Sequence, residues 1–444
     1  MAKIGLRLKA DRRVEFIAGA IILGLIGVLV WRGLVEQKKA PTETKPCYKK
    51  TLTLWTPFDK KVLAPLTEPL RPYCLTLKIE TKPVKEIQTQ LLRAIVAGTG
   101  PTITYVDADF LASNLDVFTV PIKQQQPFFT LNDYPQAISE IFKLLSPVPA
   151  PNQPKSTQLP PANFFAYPFT YDTLVLFWNK DLLQAAGLTK PPATFEAIQA
   201  VIPRLRRVDA NNQITLSPIA LGAANNHSAY FETFLALWKM QNPTALRNLA
   251  EVSRSLFTTL DFYTQFTNIQ SDFFSWQPSL PDSRQMFLAE QTAMLIDFYS
   301  FKKEIKQKNP RLNFSVGPLP RLASKPKKTN YIQPYFLAVT KNNAEIGWLF
   351  LALMDKNYQS VMAKLGAQPI KIKVMANGDR GQTIEDQILF NELIVGDSFA
   401  QVDKEFVKAS LKTDIENWLT DKRTVQQLIS TKQASKFFRK LPKD

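Results

Sequence analysis

The 444-residue chain has one histidine, His227, two cysteines, Cys47 and Cys74, and 15 glycines. One imidazole cannot build a histidine-rich metal centre, and the two cysteines lack the spacing of a zinc site. No G-x-S-x-G elbow, P-loop or dinucleotide fingerprint is present. These absences remove the usual signatures of serine hydrolases, nucleoside triphosphatases and dehydrogenases, and neither a metal nor a cofactor is expected. No internal repeat is found. His227 follows Asn225-Asn226 and reads as a surface-loop residue. Carboxylate pairs facing each other across a cleft leave no sequence signature. A glycan hydrolase therefore stays open as an alternative, while the leading expectation is that the chain is not an enzyme.

Acidic side chains are the minority, with 38 Asp+Glu against 55 Lys+Arg and a net charge of +17. Residues 1–50 hold 11 basic and 4 acidic side chains, a surplus of seven. Much of the remaining surplus lies in residues 302–328, where nine Lys or Arg face only Glu304. No DNA- or RNA-binding motif accompanies this charge, so nucleic acid is not expected as a partner. A solvated face near anionic envelope polymers or lipid headgroups accounts for it. The hydrophobic content of 45% and the 7 tryptophans call for a large buried core rather than disorder. A body of about 400 residues exceeds what one core supports and should split into lobes.

Long apolar runs are absent except for one, residues 16–35, FIAGAIILGLIGVLVWRGLV, whose single charge is Arg32. About 20 apolar residues in a helix cross the roughly 30 Å of bilayer hydrocarbon. Lys3, Arg7, Lys9, Arg12 and Arg13 precede the run and place the N-terminus in the cytoplasm. A cleaved signal peptide would have a core of about 7–15 apolar residues, and no small-x-small cleavage site follows closely. A lipoprotein signal would place small apolar residues before its cysteine, whereas Cys47 follows Thr44-Lys45-Pro46. The expectation is a single-pass anchor in residues 1–35, a polar stalk in 36–49, and an extracytoplasmic body in the cell envelope. In that compartment a Cys47–Cys74 disulfide is permitted. Such a bridge would stabilise by roughly 3–4 kcal/mol in the chain-entropy model; two free thiols are the alternative.

Strand and helix signals alternate through the body. TLTLW (51–55) is a short β run, 62–70 reads as a helix, and LTLKIE (75–80) alternates. Residues 87–96 read as a helix stopped by Gly98 and Gly100-Pro101, and 103–106 as the third strand. Strand–helix–strand–helix–strand predicts an α/β layer with a parallel sheet. Residues 147–161, PVPAPNQPKSTQLPP, read as a proline-rich surface loop. Beyond it, 167–178 reads as extended, 180–186 as a helix ended by Gly187, and 194–201 as a helix capped by Thr194. The remainder reads as mainly helical, with strands at 292–296, 313–318, 335–340 and 370–374.

Seven stretches in order then carry a resemblance. They are TLTLWTPFDK, PTITYVDADF, YPFTYDTLVLFWNKDLLQAAGLTKPPATFEAI, MFLAEQTAMLID, LNFSVGPLP, FLAVTKNNAEIGWLFLALM and GAQPIKIKV. Together, from residue 51 to near the C-terminus, they resemble the family 1 extracellular solute-binding proteins of ABC importers, the group that includes maltose-type sugar receptors. The resemblance implies a two-lobed periplasmic-binding-protein-like α/β fold with three interlobe crossings, near 167–172, 333–338 and 367–373, that closes by a hinge. One lobe would be 50–167 plus 337–368, the other 168–336 plus 369–444.

The resemblance also implies a binding cleft beyond the C-terminal strand ends. Sugar receptors of this family place an Asp-Lys pair after the first strand. Asp59 and Lys60 match it, with Trp55 at the strand's end. A ligand carboxylate after the third strand corresponds to Asp107 or Asp109. At the first crossing Asp172 matches an acidic residue that reaches the ligand, with Tyr171 beside it. Tyr230 matches an aromatic that stacks on a sugar ring. Asp297-Phe298-Tyr299 stands where many relatives carry Gly-Pro-Trp, with Tyr299 in the place of the stacking Trp. Each residue has a structural alternative: a solvated turn for Asp59 and Lys60, helix capping for Asp107 and Asp109, core packing for Tyr230 and for Phe406. The chain also departs from the family at Pro101-Thr102, where Pro-Asp is usual.

The implied function is a membrane-anchored, monomeric substrate-binding subunit of an ABC importer. Its ligand would be a small molecule, a carbohydrate by resemblance, and its partners the permease subunits. The alternative is a receptor or scaffold of the same fold that binds peptide or envelope polymer without transport.

Overall fold

Val-, Ile-, Leu- and aromatic-rich runs between helical segments fold into one mixed sheet. The computed structural model describes residues 46–121, 130–145, 165–242, 249–325, 328–377, 383–418 and 420. The apolar run at 16–35 and the proline-rich stretch at 147–161 lie outside the described residues. Among the described residues, no helix is long and apolar enough to cross a membrane.

Two compact units separate. In the small one, which takes in residues 46–49 and Pro72–Leu75, Cys47 and Cys74 form a disulfide. The Tyr48 N–H donates to the Tyr73 carbonyl there, at 2.9 Å. The large unit takes in Lys50–Arg71 and the chain from Thr76 onward.

The strands are β1 (Lys50–Thr56), β2 (Leu75–Thr81), β3 (Ile103–Asp107), β4 (Tyr167–Asn179), β5 (Arg207–Val208), β6 (Ile214–Ala220), β7 (Thr292–Phe298), β8 (Phe314–Gly317), β9 (Asn330–Val339) and β10 (Gly396–Asp397). Their order is β2-β1-β3-β9-β4-β7-β6-β5, with β10 on β9 and β8 on β4. β1 and β3 are parallel, as are β6 and β7. The sheet is nevertheless mixed rather than parallel, because β9 runs antiparallel to both β3 and β4. A strand from much later in the chain enters between β3 and β4.

Two long strands join the halves of this two-lobed α/β fold. β4 pairs with β9 through Tyr167 to Thr173, then with β7 from Leu174 to Trp178. β9 pairs with β4 from Ile332 and with β3 from Tyr335 to Val339. A third stretch lies alongside: Thr170 bridges Pro369, and the Tyr171 N–H donates to the Gln368 carbonyl at 3.3 Å. One core lies under β1 and β3, with Leu52, Ile103, Val106, Ile87 and Leu91 fully buried. The other gathers β4, β6 and β7 against helices Phe195–Leu205, Tyr230–Gln241 and Lys404–Trp418.

Several local expectations change. Residues 62–70 form only a short α-helix, Lys60–Leu63, followed by a 3-10 segment, Ala64–Tyr73. Pro65, Pro69 and Pro72 remove the N–H donors an α-helix needs. The strand expected at 370–374 is instead a helix, Ile372–Asn377, with sheet contact limited to the bridge at Pro369. β6 lies in a stretch expected to be helical, and it carries Pro218, which has no N–H to give a ladder. Its neighbour β5 pairs only with Ile214 and Leu216, so the missing N–H leaves no strand partner unsatisfied.

His227 is buried, not a surface-loop residue. Its Nε2 lies 3.2 Å from the Ile296 carbonyl and its Nδ1 3.0 Å from the Tyr263 hydroxyl. Burial lowers its pKa, and the neutral ring ties the loop after β6 to β7. Gly222 begins that loop at φ +99°, where a Cβ would meet the Thr267 nitrogen at 2.8 Å and the Tyr263 oxygen at 3.0 Å. Both contacts are backbone and cannot rotate away. Gly222→Ala is therefore expected to destabilise by about 1–3 kcal/mol in denaturant unfolding; a wild-type midpoint would refute this reading of the loop.

Candidate functional site

The site grows from the seam where β4 and β9 change partners. Asp172 stands opposite Gln333, and Tyr335 opposite both Thr170 and Asp107. The C-terminal end of β3 therefore abuts the middle of both long strands. Period-2 alternation sends side chains from this seam to opposite sides, and two cavities flank it.

The first cavity has a volume of about 670 Å³. Asp107 and Asp109 enter it from the end of β3 and the helix that follows, Ala108–Ser113. Asp107 is the N-cap of that helix and accepts from the Phe110 N–H at 2.8 Å; its other oxygen accepts from the Gln88 amide at 2.7 Å. Burial raises its pKa against these hydrogen bonds. Asp109 forms a 3.0 Å ion pair with Lys404, 295 residues away. Lys404 is buried and also donates to the Tyr331 hydroxyl at 2.9 Å. Tyr331 in turn donates to the Gln333 side-chain oxygen at 2.9 Å and stacks on Phe399. The opposite wall carries Phe231, Glu232 and Lys408. Burial raises the Glu232 pKa, with Lys408 at 3.6 Å opposing the shift.

The second cavity, about 680 Å³, has an aromatic floor. Tyr105 and Tyr335 stack with ring centroids 5.1 Å apart, and Phe58 meets Tyr105 edge-on at 5.4 Å. The Tyr105 hydroxyl pairs with Thr170 Oγ1 at 2.7 Å. Tyr171, Asp172 and Tyr299 complete the far side, and residues Leu365 to Gln368 close one end. Desolvation raises the Tyr105 and Tyr335 pKa values, so both stay neutral phenols able to donate and accept.

Asp172 is the acidic centre of this cavity. One oxygen accepts the Thr173 N–H at 2.9 Å and the Ser300 N–H at 3.2 Å. Desolvation outweighs those hydrogen bonds and pushes its pKa up to about 6. Tyr299 is set by its own N–H, which donates to the Thr173 carbonyl at 2.9 Å. The preceding turn is pinned by Asp297, buried and held by Arg284 through two 2.7 Å bonds. Lys302 then lies over the Tyr299 ring and pairs with Glu385.

The expected residues therefore divide. Asp107 and Asp109 meet at the first cavity, and Tyr171, Asp172 and Tyr299 at the second. Trp55 is buried in β1 beneath Lys82, whose Nζ is 4.5 Å from its ring centroid. Asp59 is exposed and caps helix Lys60–Leu63 by accepting from the Lys61 N–H at 2.8 Å; Lys60 is exposed beside it. Tyr230 is buried and donates to the Lys408 carbonyl at 3.0 Å, and burial raises its pKa to about 12. These four line neither cavity, although Phe231 and Glu232 beside Tyr230 line the first. Phe406 packs against the second core.

Sequence reasoning missed Gln88, Tyr105, Tyr331, Gln333, Tyr335 and Lys404. Tyr105 and Tyr335 sit within strands and carry no local signal. Lys404 reaches Asp109 only through the tertiary fold. Among the described residues, no group of His, Cys, Asp and Glu is placed to hold a metal ion.

A two-lobed α/β body with polar and aromatic cavities at the seam of its long strands defines a cleft-binding protein. The model of the bacterial extracellular solute-binding protein family matches residues 75–356, more than half of the chain, and the chain belongs to that family. No curated protein matches. Solved structures share the fold. The sugar-binding protein MalE from Xanthomonas citri is 15% identical, with a TM-score of 0.64 over 87% of this chain and 96% of that one. The maltose/maltodextrin-binding domain MalE from Bdellovibrio bacteriovorus, bound to maltotriose, is 15% identical, with a TM-score of 0.58 over 87% and 100%. The cyclic alpha-maltosyl-1,6-maltose binding protein from Arthrobacter globiformis is 14% identical, with a TM-score of 0.62 over 86% and 97%.

The raised Asp172 pKa carries a sign. Between its ordinary value near 3.8 and about 6, the folded chain binds a proton that the unfolded chain has released. That stabilising contribution is complete below the lower value and is lost as pH rises through about 6. Asp172→Asn removes it while keeping an acceptor oxygen. From pH 4 to pH 7 the variant should gain on wild type by on the order of 2 kcal/mol in denaturant unfolding; a pH-independent difference would contradict the assigned environment.

Proposed function

We propose that the chain is the substrate-binding subunit of an ABC importer and binds a carbohydrate between its lobes without chemistry. The observation that carries this reading is the second cavity. There the stacked pair Tyr105–Tyr335 lines the same cavity as Tyr299 and Asp172. Sugars have apolar C–H faces and many hydroxyls, and an aromatic floor with a few placed polar groups suits both. The sugar-binding solved structures of the same fold support this choice of ligand class.

In this reading the lobes are 50–167 with 337–368 and 168–336 with 369–444. They close about three crossings: the paired parts of β4 and β9, and the stretch around Gln368. Residues 16–35 anchor the body on a stalk of 36–49, its N-terminus cytoplasmic. Confinement near the permease raises the local concentration of receptor. The body works as a monomer, and the closed form is what the permease subunits recognise.

Two measurements test this. A saccharide at about 100 times its dissociation constant should stabilise the protein by roughly 2.7 kcal/mol. Tyr335→Ala should remove that stabilisation while keeping the fold; a screen of sugars and polyols with no stabilisation at all would exclude the carbohydrate reading. Full-length protein should stay with membranes through alkaline carbonate washing, and deletion of residues 16–35 should release it. Release of the intact chain would exclude the anchor.

A further inference from the structure

The second cavity differs from the first in charge. The first carries five carboxylates against two lysines. The second carries Lys302, Lys303 and Lys306 against one carboxylate, Asp172. Neutral sugars require no such asymmetry.

The asymmetry comes from one helix, Phe301–Lys308. Residues four apart share a helix face. Phe301 and Ile305 are buried and fix the helix against the body. Lys302 with Lys306, and Lys303 with Gln307, then present the neighbouring face to the cavity. Glu304 and Lys308 pair with each other at 2.7 Å. Lys302 is neutralised by Glu385 and held over the Tyr299 ring. Lys303 and Lys306 are exposed, and neither makes an ion pair among the described residues. Three of the nine cations in 302–328 thus lie on one cavity wall rather than on a featureless surface. A concave wall with two uncompensated ammonium groups focuses positive potential on whatever the aromatic floor holds.

We propose that the ligand of this cavity is an acidic saccharide, a sugar chain bearing carboxylates. Its rings lie over Tyr105 and Tyr335, and its carboxylates meet Lys303 and Lys306. This rests on the carbohydrate reading and narrows it. The first cavity, rich in carboxylates, repels the same ligand, so the charge pattern also fixes which side of the seam it occupies.

The test is titration calorimetry of the full-length chain with trigalacturonate, trimannuronate and neutral maltotriose, in wild type and in Lys303→Gln/Lys306→Gln. Both substitutions are at exposed positions, and an unchanged thermal midpoint verifies the fold. At least one uronate should bind at least tenfold tighter than maltotriose. The double variant should lose about tenfold in uronate affinity and none for maltotriose. Added salt should weaken only the uronate. Tighter binding of maltotriose, or unchanged uronate affinity in the variant, overturns the charge assignment and leaves the carbohydrate reading standing. Binding of none of the three overturns the acidic-saccharide assignment, and the carbohydrate reading falls with it only if the wider sugar and polyol screen is also silent.

Discussion

The pairing of β4 with β9 is the constraint on which the rest depends. Both strands are longer than β3 and β7, which flank the pair, and both change partners near Asp172 and Gln333. A strand that serves two sets of partners in succession within one sheet joins two cores without merging them. It also brings the end of β3 against the same few residues. Tyr105, Thr170 and Tyr335 therefore meet at one point, although they come from three distant parts of the chain. The cavities are a consequence of that junction, which the helices on either side do not fill.

Electrostatics sorts the two sides of the seam. On one side Asp109 and the buried Lys404 form an ion pair that links the helix after β3 to helix Lys404–Trp418. Lys404 is buried while Asp109 is partly exposed, so the pair fixes geometry more than it adds stability, the lysine having lost its water. Its hydrogen bonds run on through Tyr331 to Gln333, at the seam itself. On the other side, Asp172 accepts two backbone N–H groups yet has a pKa near 6. Any change in how the lobes meet alters the surroundings of both carboxylates.

Much of this was legible in sequence. The strands of the first half follow apolar alternation, and the order of seven short stretches identified the two-lobed α/β fold. Asp172 and Tyr299 were singled out by their match to family positions, and both line the second cavity. Asp59, Lys60 and Tyr230 illustrate what a motif position omits. Asp59 has a helix N-terminus of its own to satisfy, and Tyr230 a backbone carbonyl on the C-terminal helix. His227 read as a loop residue because its neighbours are polar, but its two nitrogens are satisfied by Tyr263 and Ile296, 36 and 69 residues onward. Lys404 and Tyr335 carry no local signal; the long-range pairing of β9 reveals Tyr335, and the side-chain contacts with Asp109 and Tyr331 reveal Lys404. The basic run at 302–328 was visible as charge, but its meaning depended on which face of Phe301–Lys308 is buried.

The central claim is that the two lobes close on a saccharide held at the seam. It is tested most directly by the distance between spin labels at the exposed positions Lys85→Cys and Lys412→Cys, one in each proposed lobe. Among the described residues there are no free cysteines, so the labels report alone. The account predicts that a saturating saccharide shortens and narrows the distance distribution. An unchanged distribution with the site occupied would contradict it.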